Sequence, residues 1–257
     1  MIPTIPWYLE LISLGTNLAI AVAVWGILSS AAGRAGLAPA EKHRVRAGSA
    51  IFLGAWLGAA LLLAPAAESL VGRDQFYLTP LIPLFVLVPF TLTLLAVRLF
   101  PALQRVLAAA SLPGVIGVQL YRTIGVVFLI LLALGQIPAH FALPAGWGDI
   151  AIGLTAPLVA LAVARNVRGG RGLAVSWNVF GLLDLGLAVG MGTGWLAPFL
   201  APELGARVPP TAAMGVYPMI LVPTFAVPVS VLLHLLALGK LRREVRLRSG
   251  LVPRAAS

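Results

Sequence analysis

Long apolar stretches recur along the whole chain and alternate with short segments rich in Pro, Gly and Arg. A transmembrane helix needs about 20 mostly apolar residues, and seven stretches meet this requirement. The pattern therefore predicts an all-α polytopic membrane protein, with seven transmembrane helices in one domain over residues 1–248. The predicted spans 1 to 7 cover residues 8–29, 48–67, 78–99, 114–137, 147–165, 173–195 and 214–238.

The composition fits a membrane protein and excludes several kinds of chemistry. Only 10% of the residues are charged and 60% are hydrophobic, whereas about a quarter of a soluble domain is charged. The absence of cysteine from the sequence excludes disulfides, thiolate catalysis and cysteine-ligated metal. Residues 249–257 are expected to form a flexible tail, and the LVPR within it resembles a thrombin recognition site of the kind found in purification tags.

The basic residues predict which side of the membrane each loop occupies. Fifteen of the 18 Lys and Arg residues fall in the loops after spans 1, 3 and 5 or in the C-terminal tail. By the positive-inside rule these segments are cytoplasmic, which places the N-terminus outside. We expect a bacterial inner-membrane protein whose net charge of +10 reflects topology and not nucleic-acid binding. The expected partners are membrane lipids and a small solute, and the sequence leaves the oligomeric state open.

An offset of 139 residues aligns parts of the two halves of the chain. The matched pairs include Pro89 with Pro228 and Glu10 with Asp149. This alignment predicts a parallel three-plus-one-plus-three repeat, with repeats over 1–100 and 140–240 and span 4 as the linker. The architecture looks like that of the SWEET sugar transporters and the wider PQ-loop group, which implies a transporter fold. The Pro-Gln pair that names the group does not occur in the sequence, so the resemblance assigns no binding residue.

A few strongly polar side chains lie within the predicted spans, where each is costly unless it is paired or faces the bundle interior. From the rise of 1.5 Å per residue, four of them lie between the cytoplasmic third and the middle of the membrane. We predict that they converge on one solute or ion pathway. The four are Arg122, Asp184, Asn178 and His234.

Each of these four residues has a predicted role. Arg122 and Asp184 are expected to form an ion pair, directly or through water, because each is expensive alone in lipid. Asn178 is expected to hydrogen-bond the solute, and His234 is a candidate proton acceptor. The alternative for the pair is that Arg122 reaches back to the cytoplasmic interface and Asp184 is protonated.

A second polar group is predicted to line the outer mouth of this pathway. Asp149 is only two residues into span 5 and is therefore expected near the outer surface, as are Glu10 in span 1 and His140 in the preceding loop. The histidines lie at different depths without ligand spacing, so no metal site and no cofactor is predicted.

Prolines interrupt the third and seventh spans at similar places. An interior proline frees the carbonyl four residues back and tends to kink a helix. Interrupted segments at corresponding positions in two halves of a transporter point to its binding site, and kinks that only set packing angles are the alternative. The prolines are at 80, 83 and 89 in span 3 and at 218, 223 and 228 in span 7.

The leading functional hypothesis is a small carrier that moves a small solute, coupled to protons, through a polar cavity in the membrane. The sequence has no GxSxG, HExxH or P-loop motif, so no catalytic residue is predicted. Two alternatives remain open. One is an intramembrane lipid-modifying enzyme that uses His140 with Asp149, or the inner cluster. The other is a non-catalytic sensor or accessory subunit in which the polar residues only fix helix register.

Overall fold

The protein is described by a computed structural model over residues 5–68, 81–192 and 211–248. Within these ranges the chain is helical and contains no β-strand. The helices are α1 (Trp7–Arg34), α2 (Pro39–Glu68), α3 (Leu81–Leu99), α4 (Pro101–Ala109), α5 (Leu112–Gly117), α6 (Val126–Ala133), α7 (Ala139–Ala164), α8 (Gly170–Gly192) and α9 (Val227–Arg248).

Six helical segments are long and apolar enough to cross a membrane. The α3–α4 pair, which is bent by 98°, gives up to seven if it counts as one span. The predicted all-α, multi-pass architecture is confirmed at this level. The count of seven and the internal repeat are not confirmed and stay predictions.

The outer surface of the bundle is apolar, as contact with lipid requires. Leu62, Leu158 and Leu183 are exposed over 82%, 65% and 66% of their surface, although leucine is usually buried in a soluble protein. Helix α3 lies at the periphery, since none of residues 83–99 is buried. The closest packing is that of α7 against α8 and against the span formed by α5 and α6.

A 3₁₀ segment, Val118–Gly125, joins α5 to α6 within one span, Leu112–Ala133. We call this span the interrupted span. A 3₁₀ helix has three residues per turn, so residues three apart lie above one another on one face. Gln119, Arg122 and Gly125 have this spacing, and all three are buried. The change of helix type therefore aims Arg122 into the bundle.

A π-helical turn, Val222–Ala226, precedes α9 in the last described span. Pro228 has no N–H to donate to the carbonyl of Thr224 four residues back. The Nε1 of Trp56 on α2 donates to that carbonyl at 2.8 Å. A side chain from another helix thus satisfies the backbone group that the proline leaves free.

Three predicted starts are wrong by eight or nine residues. Helix α2 begins at Pro39 and not at 48. Helix α7 begins at Ala139 and not at 147, because Pro138 adopts an extended conformation directly before the helix and Pro144 lies inside the helix and not in a loop. The last span begins at Val222 and not at 214, since a short 3₁₀ turn over Ala212–Gly215 precedes it. Predicted positions 78–80, 193–195 and the tail 249–257 lie outside the described residues.

Four of the basic segments meet at one end of the bundle. Arg105, which follows α3, pairs with Glu41 at the start of α2 at 2.9 Å, and Arg171 at the start of α8 pairs with Glu244 of α9 at 2.7 Å. The ammonium of Lys240 donates to the carbonyls of Leu107 and Ala108 at 3.1 and 2.7 Å. This cation lies at the C-terminal end of α4, where the helix dipole favours positive charge.

Candidate functional site

Arg122 is the centre of a buried polar network built from four spans. It lies near the middle of the 22-residue interrupted span, and only 2% of its surface is exposed. Asp149 and Asp184 lie near the middle of α7 and α8, and His234 near the middle of the last span. The network therefore lies deep within the bundle, where a charge needs a partner.

Two carboxylates share the guanidinium of Arg122. Asp149 Oδ1 accepts from Nε at 2.7 Å and lies 2.6 Å from Nη2, and Asp184 Oδ2 accepts from Nη2. The predicted contact between Arg122 and Asp184 is present, with Asp149 as an additional partner. With both aspartates ionised, this cluster carries a net charge of −1.

His234 extends the network to Asn178. Its Nε2 lies 3.1 Å from Arg122 Nη1, and its Nδ1 lies 2.8 Å from Asn178 Oδ1. A guanidinium only donates, so Nε2 must accept and Nδ1 carries the proton. Asn178 Nδ2 in turn donates to the carbonyl of Ala174 at 2.7 Å. Donors and acceptors thus alternate from Arg122 to the backbone of α8, with His234 as a neutral link.

Glycines provide the space for this network. A Cβ built on Gly148 would collide with the carboxylate of Asp184, and one on Gly181 would collide with the ring of His234 and lie 3.2 Å from Arg122 Nη1. A Cβ on Gly125 would lie 2.5 Å from the Cβ of Asp149. The absence of side chains at these positions lets four helical segments bring their polar groups into direct contact.

A cavity lies against one side of the cluster. The centres of water molecules could occupy about 30 Å³ of this cavity. This is room for a few small groups. Its wall combines polar and apolar side chains, and residues of α1, the interrupted span, α7, α8, the π-helical turn and α9 contribute to it. The polar part of the wall is formed by Ser13, Thr16, Asn17, Tyr121, Arg122, Asp149 and Ser230.

The site residues are grouped differently in the structure from the two groups that the sequence predicts. Arg122, Asp184, Asn178 and His234 come together as one network, although Asn178 and Asp184 are about 120° apart on α8. His234 bridges this separation. Asp149, which the sequence assigns to the outer group, contacts Arg122 in this network, because α7 begins eight residues earlier than predicted and Asp149 lies well inside the helix.

The other two predicted outer residues lie apart from the network. Glu10 on α1 is a partner of Tyr217, and burial together with this carboxylate raises the pKa of Tyr217 above its ordinary value. His140 is in the first turn of α7, about 13 Å along the helix from Asp149. His140 and Asp149 are therefore too far apart along α7 to act as an acid–base pair, and the enzyme hypothesis is left with its other form, which uses the inner cluster.

Some site residues were not identified from the sequence. Tyr121 and Ser230 are 2.6 Å apart at their hydroxyls, and both line the cavity. Gly148 is required by the close approach of the helices. The glycines around Asp149, at 146, 148 and 153, were an available signal of that approach. No group of three or more His, Asp or Glu side chains among the described residues is arranged to hold a metal ion.

The model of a family described as a domain of unknown function, DUF8737, matches residues 79–242. The chain belongs to this family. The matched segment contains every member of the network, from Arg122 to His234, and excludes α1 and α2. No curated protein and no solved structure matches the chain.

Proposed function

We propose that this protein is a small carrier of the bacterial inner membrane that moves a small solute and couples this movement to protons. In this proposal the α3–α4 pair forms one of seven spans, the N-terminus is outside and the C-terminus is cytoplasmic. The two halves derive from a three-helix duplication. Ion pairs hold the Arg-rich segments together at one end of the bundle. This supports the proposed cytoplasmic position of these segments and of the C-terminus.

The observation that carries the proposal is the position of the cavity at two interrupted helices. Tyr121 and Arg122 enter its wall from the 3₁₀ segment, and Val222 and Ala226 enter it from the π-helical turn. Interrupted helices around a deep cavity are how many transporters present polar groups to a solute. Changes of helix type also mark places where a helix can rearrange.

The charge of the cluster supports the coupling to protons. Two carboxylates face one guanidinium, and the lone pair on His234 Nε2 is engaged by Arg122. One added proton on a carboxylate would make the cluster neutral and remove the cost of an uncompensated buried charge. A cluster that takes up and releases one proton can drive a solute past it.

Transport in proteoliposomes tests the proposal. Vesicles with pyranine inside would receive a neutral hexose, a zwitterionic amino acid, a monocarboxylate or a monoamine, each also followed as a radiolabel. We expect at least one solute to enter and to change the internal pH beyond the change in protein-free vesicles. Asp184→Asn should abolish the pH change, whereas Gly186→Ala, on an open face of α8, should retain it.

Two other outcomes of this experiment are informative. If none of the solutes enters faster than in protein-free vesicles, the carrier function is wrong. If a solute enters without any change of internal pH, the carrier function stands and the coupling to protons is wrong.

A further inference from the structure

Three of the four hydroxyl groups in the wall of the cavity, those of Ser13, Tyr121 and Ser230, offer acceptors and no free donor, and Thr16 carries the fourth. Ser230 Oγ donates to the carbonyl of Ala226 at 2.8 Å, so the hydroxyl of Tyr121 must be the donor in its 2.6 Å contact with Ser230. Ser13 Oγ donates to the carbonyl of Pro218 at 3.2 Å. The protons of these three hydroxyls are used within the protein, and only their lone pairs are left for a ligand.

Arg122, which also lines the cavity, offers no donor to a ligand. Its Nε and Nη2 donate to Asp149 and Asp184, and its Nη1 faces His234 and the carbonyl of Gly181. The positive charge is thus directed at the two carboxylates and away from the cavity. An anionic ligand would find no free N–H on Arg122.

Asn17 supplies a further acceptor. It is 1% exposed, it lines the cavity, and its Oδ1 has no hydrogen-bond partner among the described residues. Its orientation is fixed, because Nδ2 donates to the carbonyl of Ser13 at 2.8 Å and the reversed amide would place two oxygens against each other. A buried amide oxygen without a partner is costly, so it points to a ligand that donates.

The charge and the apolar wall define this ligand further. With both aspartates ionised the cluster has a net charge of −1, and Asp149 lines the cavity. The rest of the wall is apolar and includes Val127, Phe128 and Met219. An N–H donor with one positive charge and a short hydrocarbon body satisfies all of these features.

We infer that the cavity binds a small primary ammonium compound, whose N–H groups donate to Asn17 Oδ1 and Asp149 and whose hydrocarbon part contacts the apolar wall. This inference names the class of solute for the proposed carrier and rests on that proposal for its biological meaning. The binding itself follows from the donor and acceptor pattern of the cavity.

Binding to the purified full-length protein in detergent tests the inference without any need for transport. Thermal unfolding would be followed by tryptophan fluorescence with propylammonium, 1-propanol, propionate or sodium chloride at equal concentrations. We expect propylammonium to raise the unfolding temperature in a saturable manner and the other three to leave it unchanged. Equal stabilisation by 1-propanol, by propionate or by sodium ion would overturn the inference.

A pair of variants locates the site. Asn17→Leu keeps the size of the side chain and removes the acceptor, so it should weaken the apparent affinity for propylammonium about tenfold. Gly186→Ala, on an open face of α8 and outside the cavity wall, should leave the affinity within about twofold. Unchanged affinity in Asn17→Leu would place the amine elsewhere and overturn the inference.

The result can be separated from that of the transport assay. Binding of propylammonium without transport of any solute would reject the carrier and keep the site. Transport of a sugar or a carboxylate, without any binding of propylammonium, would keep the carrier and reject the inferred class of solute.

Discussion

His234 Nε2 lies 3.1 Å from Nη1 of Arg122, and it can only accept there because a guanidinium only donates. The histidine is therefore held as the Nδ1–H tautomer between an arginine and an amide oxygen. This arrangement differs from the proton-acceptor role that the sequence predicts for His234, since its basic nitrogen is occupied while Arg122 stays in place. The carboxylates of Asp149 and Asp184 are the remaining groups that can bind a proton.

The tautomer of His234 is directly measurable. Ring ¹⁵N chemical shifts of the labelled protein should show a protonated Nδ1 and an unprotonated Nε2. His234→Ala should cost about 1–3 kcal/mol of unfolding free energy, because Asn178 Oδ1 then loses its donor in a buried position. An Nε2–H tautomer would contradict the hydrogen-bond assignment.

Removal of the arginine and removal of one aspartate from the cluster should lower the unfolding free energy by different amounts. Arg122→Gln leaves two carboxylates without a cation and should destabilise the protein by about 3–5 kcal/mol, the range for breaking a buried ion pair. Asp184→Asn leaves a neutral pair of Arg122 and Asp149 and should cost much less. Thermal unfolding in detergent measures both changes.

The double change Asp149→Asn with Asp184→Asn supplies the control for this comparison. It leaves Arg122 without a counter-charge and should cost more than the two single changes combined, because either carboxylate alone neutralises the arginine. Strictly additive losses would show that the two aspartates do not share Arg122.

Two glycines on α8 form a matched pair. A Cβ on Gly181 meets the ring of His234, whereas a Cβ on Gly186 has no atom within 4 Å. We expect Gly181→Ala to lower the unfolding free energy by about 1–3 kcal/mol through overpacking. Gly186→Ala should be neutral or stabilising by up to about 1 kcal/mol, since alanine favours the helix. Equal effects in a denaturation experiment would contradict the packing around His234.

The contact between Trp56 and the π-helical turn predicts that the effect of Trp56→Phe on stability depends on Pro228. Trp56→Phe keeps most of the ring and removes the N–H that reaches the carbonyl of Thr224, so it should cost about 1–3 kcal/mol. Pro228→Ala restores a backbone N–H that can donate to the same carbonyl. In the Pro228→Ala variant, Trp56→Phe should therefore lower the unfolding free energy by less. An equal loss in both backgrounds would show that the effect of Trp56 does not come from the carbonyl of Thr224.

Sequence periodicity and length determined the all-α, multi-pass class, because an apolar stretch of about 20 residues can satisfy its backbone in lipid only as a helix. The same reasoning indicated the contact between Arg122 and Asp184, since lone charges at that depth are costly. Both inferences depend on local composition and on distance along a helix axis, which a single sequence contains.

Only the tertiary structure decided how the remaining groups meet. Asp149 joined Arg122 because α7 starts at Ala139, and no local pattern indicates that Pro144 lies inside a helix. His234 became the bridge to Asn178 because α8 and α9 cross where Gly181 leaves room for an imidazole ring. The prolines at 223 and 228 indicated an interruption of the last span, but the acceptor-lined cavity also depends on the 3₁₀ segment that faces it, and the packing between helices brings the two together.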